Sequence, residues 1–473
     1  MTDSARSHPA STAPPRSATE HGPVAVPKPR RARNKLRDLE LVLVLVACAI
    51  NAAAILLVQL GVGVALGGMQ LILGLVLAAL MVGVHITLRF VAPGADPFML
   101  PVTALLGGLG IAQIYRIDLA VGLTGWGSTA NRQMTWMGIS LAACILVLVF
   151  LRNHRVLFRY TYLAGAGAVV LLLLPLIPGL GKAENGAQVW IGLGPLSFQP
   201  GELAKILLAV FFAGYLVRNR DSLATVGRSF LGLRFPRLRA LGPILVFWLL
   251  AMGVLVFQRD LGTSLLYFAL FLVMIYLATG RPGWVFIGLA LFVAGALLAG
   301  RFLPYVQARF DNWLNAFSDS AYNATGGSYQ LVQGIFGLAN GGLIGTGWGQ
   351  GYPDVTPLPQ SDYIVASLGE ELGLAGVFVI FGLYLVLVAR GLRIGFAGQD
   401  DFGALLAGGL SFALALQVFI VVGGIMRVIP LTGLTAPFLA AGGSSLLSNW
   451  LIVALLLRLS DTIRNRPRLV IES

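Results

Sequence analysis

Residues 261–279 read LGTSLLYFALFLVMIYLAT. No residue in the run is charged, and its apolar side chains cover every face of a helix instead of alternating as they would along a half-buried strand. A helix of about 20 apolar residues spans the roughly 30 Å hydrocarbon core of a bilayer, whereas a barrel strand needs only about 9–11. Comparable runs lie at roughly 39–60, 69–91, 97–115, 133–151, 159–178, 200–217, 240–257, 284–303, 362–389, 402–423 and 437–459. The expected fold is all-α: a polytopic membrane helical bundle of about 12 transmembrane helices. Only helices and closed barrels satisfy every backbone group in lipid, and these runs are too long and too evenly apolar for barrel strands.

Bulk properties agree. Of 473 residues, 57% are hydrophobic and 11% charged, against about 25% charged in a soluble domain. The net charge of +13 is no nucleic-acid footprint, because most basic residues lie in alternate gaps between the apolar runs. Cys48 and Cys144 fall inside apolar runs and read as small buried hydrophobes, which implies neither a disulfide nor a metal site.

Residues 1–38 are rich in Ala, Pro, Ser and Arg and read as a disordered tail ending in a basic run, KPRRARNKLR at 28–37. The next apolar run has no small-residue cleavage site and reads as a retained helix. With the N-terminus inside, the inner segments hold 25 Lys and Arg residues and the outer loops 7, among them Arg116, Arg259, Arg309 and Arg427. That asymmetry places both termini, including the tail at 463–473, in the cytoplasm. It places the one long connection, 304–361, on the outer face. This stretch is Gly-rich with amphipathic segments, and loops of such length are usually functional or disordered.

Ionisable groups inside a membrane cost roughly 2.5–3.5 kcal/mol each on insertion scales, so each exception asks for a reason. Glu202 and Lys205 follow Pro200 at i, i+3 spacing, on one helix face. They read either as a local ion pair or as a polar patch meeting a charged ligand. Arg259 and Asp260 form a short outer turn, which read alone is equally a solvated hairpin. Arg309 lies beside Phe310 and Trp313 and reads as an interfacial arginine or as a grip on an anionic headgroup. Asp362 stands where the long loop enters a helix and suits either a helix cap or a reacting carboxylate. Glu370 and Glu371, about two turns deeper, need distant partners or a wet cavity. There is no His/Cys metal cluster, P-loop or nucleophile elbow. The residues alone therefore describe an outward-facing polar site that suits an enzyme or a transporter.

The same segments carry a family resemblance. WIGLGPLSFQPGELAK (190–205) is similar to a signature with a Trp-Ile pair followed by Gln-Pro-x-Glu-x-x-Lys. RDLGTSL (259–265), SYQLVQGIFGLANGGLIGTGWGQG (328–351), SDYIVASLGEELGLAG (361–376) and VIPLTGLTAPFLAAGGSSLLSNW (428–450) continue it in order. Together they resemble the SEDS (shape, elongation, division, sporulation) family of peptidoglycan glycosyltransferases, of RodA/FtsW type. The resemblance implies a ten-helix core, here about 95–462, preceded by two extra helices at 39–94 as in actinobacterial RodA members.

By that resemblance, the protein polymerises lipid II into glycan strands at the outer face of the bacterial cytoplasmic membrane, for elongation and shape. Its partners are then lipid II, the nascent glycan strand, membrane lipid and a class B penicillin-binding protein that cross-links the product. Asp362 matches the family's essential aspartate and is the implied general base. Glu202, Lys205, Arg309, Asp260, Trp190 and Gln330 are the implied substrate-binding residues. A divalent metal, Mg or Mn, is left open as an aid to the departing pyrophosphate; no organic cofactor is implied. Departures are Gln360-Ser361 where the family has His-Thr, Ala440-Ala441 where it has Ser-Tyr, and Arg259 where it has proline. A division-type polymerase, a lipid II flippase and a scaffold for the cross-linking enzyme are the alternatives.

Overall fold

The structure is a computed structural model and describes residues 24–26, 30–184, 186–193, 196–224, 226–230, 233–236, 242–464 and 468–470. Sixteen α-helices follow in order: α1 (Arg30–Val62), α2 (Met69–Val91), α3 (Met99–Ala120), α4 (Thr129–Phe150), α5 (Arg155–Arg159), α6 (Thr161–Leu173), α7 (Pro200–Ala224), α8 (Gly242–Gln258), α9 (Leu261–Thr279), α10 (Pro282–Phe302), α11 (Pro304–Leu314), α12 (Asp319–Tyr322), α13 (Tyr329–Gly341), α14 (Ile364–Ala397), α15 (Asp401–Ile425) and α16 (Gly443–Arg464).

Ten of the described helices, α1–α4, α7, α9, α10 and α14–α16, are long and apolar enough to cross a membrane. The expected count of twelve included the runs at 159–178 and 240–257. The first forms α6 with a 3-10 extension, ending at Leu176, and the second forms the 17-residue α8. α6 with its extension is shorter than the usual spanning length of about 20 residues, whereas the 17 residues of α8 reach the lower end of the spanning range of about 17–25, and residues 237–241 before it lie outside the described residues. The expected tail at 1–38 also differs, because α1 already begins at Arg30. Residues 1–23 and 27–29 of that tail lie outside the described residues, as do 465–467 and 471–473 of the C-terminal one.

Local chemistry sets the helix ends. Pro200 and Pro282 stand at first positions, where the missing N–H has no helical partner to lose. Asp260 caps α9 and Asp400 caps α15, each accepting a backbone N–H three residues on. Gly280 closes α9 in the left-handed conformation, φ 64°.

α14 is interrupted at Gly373, with φ 70° and ψ −177°. The freed donors find partners outside the helix: Leu374 N–H donates to Gly342 O at 2.9 Å and Ala375 N–H to Leu343 O at 3.0 Å. Non-helical backbone at membrane depth survives only when neighbouring protein satisfies it in this way.

α3 and α16 are the most enclosed helices, and α1, α2, α10 and α14 keep large apolar faces outward. α3 reaches the centre because its small residues admit close neighbours. A Cβ at Gly110 would lie 2.3 Å from the Leu439 carbonyl oxygen. The α1–α2 pair packs on α3 and α4. It carries a buried polar knot in which Arg37 donates to Glu40 at 2.7 Å and Glu40 meets His85 at 2.7 Å. Val24–Val26 pairs antiparallel with Arg468–Val470, which brings both end segments to one face of the bundle. The opposite face, the loop face, carries a three-stranded antiparallel sheet over 181–198 and the long 304–361 stretch with α11–α13.

Candidate active site

Asp362 stands at the mouth of α14, with its backbone clamped on two sides. Ala441 N–H donates to Gln360 O at 2.8 Å. The adjacent Tyr363 is fully buried against α13, where a Cβ at Gly334 would lie 2.3 Å from its ring. The Asp362 side chain is half-buried. Burial pushes its carboxyl up to about 6, while a hydrogen bond from Ser361 and the nearby Arg309 charge pull the other way. It forms no ion pair among the described residues.

Arg309 projects from α11 and is half-buried, donating to Leu431 O at 2.6 Å. The same helix is riveted to the α15–α16 connection. Trp313 Nε1 donates to Arg427 O at 3.0 Å, and Arg427 Nε returns a bond to Trp313 O at 2.6 Å. Asp260 accepts from Thr263 N–H at 3.0 Å and from the Thr263 hydroxyl. Burial raises its carboxyl; the Thr263 bonds and Arg309 lower it; Glu202 raises it. Arg309 thus stands within electrostatic reach of both Asp260 and Asp362, and Glu202 within reach of Asp260. Four of the charges singled out from sequence therefore form one patch at the loop face.

Lys205 sits beneath that patch. Only 1% of its surface is accessible. Its ammonium donates to Glu202 Oε2 at 2.8 Å, Gln417 Oε1 at 2.8 Å and Asn449 Oδ1 at 3.3 Å. Ser448 adds a bond to Glu202 Oε2 at 3.1 Å. All three N–H donors of the ammonium are occupied, so Lys205 ties α7, α15 and α16 together from within. Trp190 lies in the strand Ala187–Leu193, opposite Lys182. Gln330 lies on α13 and donates to Pro357 O at 2.8 Å, holding the segment that leads to Asp362.

Several partners were invisible to sequence reasoning. Gln417 and Asn449 lie inside apolar runs, and nothing in the sequence marks them as partners of an ammonium more than 200 residues away. Glu371 meets Arg116, a residue counted in an outer loop that instead sits buried within α3, at 2.9 Å. Glu370 accepts from Asn340 at 3.0 Å and from Tyr352 N–H at 3.2 Å. The deep glutamates thus have long-range structural partners.

A cavity of about 590 Å³ opens between α9, α10, α11 and the 428–432 segment, lined largely by apolar side chains such as Leu265, Phe268, Phe292, Leu297, Val306 and Phe310. One wall is α11, the helix that carries Arg309. Among the described residues no group of three or more His, Cys, Asp or Glu side chains is placed to hold a metal ion. Both Asp260 oxygens are occupied by Thr263.

Fold and site together define a polytopic helical membrane protein with a titratable carboxylate, a guanidinium and an apolar groove at one face. The family model for FtsW/RodA/SpoVE, described as cell cycle protein, matches residues 96–465, and the chain belongs to that family. It is 45% identical to peptidoglycan glycosyltransferase RodA of Mycobacterium bovis over 94% of this chain and 95% of the relative. It is 42% identical to the Mycobacterium leprae protein of the same name over 91% and 92%. A chain from a peptidoglycan synthase complex described as coordinating polymerization and crosslinking superposes with a TM-score of 0.61 at 26% identity, covering 78% of this chain and 98% of that one. The crystal structure of Thermus thermophilus RodA gives 0.54 at 25%, covering 79% and 98%.

Proposed function

We propose that this chain is a RodA-type peptidoglycan glycosyltransferase that polymerises lipid II, with Asp362 as general base. One observation carries the assignment of the base: of the two half-buried carboxylates of the patch without an ion-pair partner, Asp260 has both oxygens engaged by Thr263 as the cap of α9, whereas Asp362 does not cap a helix and its carboxyl is raised to about 6. Such a group is mostly ionised at neutral pH yet binds a proton more tightly than an ordinary aspartate, which suits proton abstraction.

The chemistry follows from the substrates. The 4-hydroxyl of the acceptor sugar attacks the anomeric carbon of the donor, and its proton passes to the Asp362 carboxylate. The new oxygen–carbon bond forms as the bond from that carbon to the phosphate oxygen breaks, so an α-linked donor becomes a β-1,4 link with inversion. Polyprenyl pyrophosphate leaves with the bonding pair. Arg309 is placed to meet the charge that develops there, while Lys205 acts indirectly by fixing Glu202. A divalent ion would be held by one or two carboxylates of the patch, Asp362 or Asp260, together with water and the substrate's phosphates, and would help to neutralise the departing charge. The groove beside α11 fits a polyprenyl chain, so that headgroup and chain are held together at one end of the reaction.

The charge asymmetry supports a cytoplasmic position for both termini and an outer position for the site. The likeness to a chain of a synthase complex supports a class B penicillin-binding protein as partner. Identity of 45% with RodA proteins, against 32–36% with FtsW relatives and 33% with a sporulation relative, supports the elongation role. The test is polymerisation of lipid II by purified protein. Asp362→Asn should abolish glycan synthesis while leaving the thermal unfolding profile unchanged; synthesis by that variant at the wild-type rate overturns the assignment.

A further inference from the structure

α1 lies outside the residues matched by the family model, yet its end is built into the scaffold of the site. The Gly61 carbonyl accepts a bond from Gln350 Nε2 at 2.6 Å. A Cβ at Gly61 would fall 2.1 Å from the Trp348 carbonyl oxygen, so α1 meets the Gly345–Gly351 turn backbone to backbone. Gly349, with φ 89°, makes the reciprocal approach: a Cβ there would lie 2.9 Å from Gly61.

The turn is fastened in turn to the head of α14. Thr346 and Gly347 N–H groups donate to the Glu370 and Glu371 carbonyls at 3.0 Å each. Gly349 and Gly351 N–H groups donate to the Glu371 carboxylate at 3.2 and 3.3 Å. A second path runs through α3. Trp348 Nε1 donates to Gln113 Oε1 at 2.8 Å, and Gln113 Nε2 donates to Ser367 Oγ at 2.8 Å, little more than a turn along α14 from Asp362.

We propose that α1 is a brace for the catalytic carboxylate: through Gly61, Gln350, Trp348 and Gln113 it fixes the register of the turn against α14, and with it the position of Asp362. Gln350, Trp348 and Gln113 are positioning residues; none touches substrate. The inference rests on the reading of Asp362 as the reacting group.

The test is steady-state lipid II polymerisation by full-length protein in lipid nanodiscs, with thermal unfolding measured alongside. Gly61→Leu favours helix over glycine but wedges α1 away from the turn; Gln350→Ala removes one bond from an exposed side chain. A shift of about 1 Å at a reacting group costs on the order of 10²-fold. The expected result is a kcat roughly tenfold lower for Gly61→Leu and about threefold lower for Gln350→Ala, with KM unchanged and unfolding profiles superimposable on wild type. Gln350→Glu, which still offers a side chain of the same length but no donor to the Gly61 carbonyl, should behave like Gln350→Ala, and Gln350→Lys should recover most of kcat. Wild-type kcat in folded Gln350→Ala overturns the brace even if Gly61→Leu fails to fold, as does a kcat loss in either variant that merely tracks the unfolded fraction. Failure of the underlying reading appears separately, as glycan synthesis by Asp362→Asn at the wild-type rate.

Discussion

Two acids near the head of α14 have opposite surroundings. Glu371 is buried, with Arg116 at 2.9 Å and two backbone donors on its oxygens. Asp362, about two turns away, keeps accessible surface, takes one hydrogen bond from Ser361 and feels Arg309 only through space. Both cost free energy to place near lipid. Glu371 offsets that cost with fixed partners and so serves the fold. Asp362 is left under-compensated, and an acid whose protonated and charged forms lie close in free energy is one that can take and release a proton near neutral pH. Proximity in sequence to a signature block therefore says less about chemistry than the completeness of each group's partner set.

The largest effect that separates the two acids is expected for Asp362→Asn. General-base loss costs about 10²–10⁴-fold in rate, so glycan synthesis should fall at least a hundredfold with normal folding. Arg116→Met should do the reverse. Breaking a buried pair by removing one partner costs about 3–5 kcal/mol, read as a lowered unfolding temperature and poor recovery of folded protein, while the rate per folded molecule should fall far less than in Asp362→Asn.

Arg309→Met should lower the rate on the order of 10²-fold, the scale of losing one group that meets charge developing in the transition state. It should also move the acid limb. In the wild type that limb of kcat/KM should lie near pH 6, because the base must be ionised. Removing the nearby positive charge disfavours the carboxylate, so the midpoint should rise; a midpoint that stays or falls contradicts the placement of Arg309. The stability contribution runs opposite. The folded value lies above the ordinary 3.8, so the folded state binds the proton more tightly, and this group's contribution declines as pH rises from about 3.8 to 6. The smallest effect is expected for Gln330→Ala, which loses one bond to Pro357 O, on the order of 1 kcal/mol. A change in KM tenfold or greater there would instead make Gln330 a substrate contact.

Much of the fold was legible because each apolar run carries its own signal of length and charge exclusion, and some carry a proline at the head, as α7 and α10 do. Pro200 as the head of α7 could be read from a few residues, whereas Asp260, which read alone was equally part of a solvated hairpin, proved to cap α9. What sequence could not show depends on packing between distant helices. Arg116 looked like a loop residue until α3 extended past it to meet Glu371, 255 positions away. Lys205 looked like a group reaching for substrate, yet Gln417 and Asn449 occupy it. α6 fell short of its apolar run because hydropathy fixes where a segment prefers lipid, while backbone geometry fixes how much of it is helical; α8 covers every described residue of its run. The basic stretch from Arg30 looked disordered by composition, but it continues directly into α1, whose start buries Arg37 and Glu40 against His85.

The break in α14 at Gly373 has a consequence for how this chain can vary. Because the donors of Leu374 and Ala375 are answered only by carbonyls at 342 and 343, neither stretch can drift independently. Residues 342–345 and 373–375 should be inherited as one part, and a chimera that takes the first from a distant homologue and keeps the second should fail unless both are exchanged.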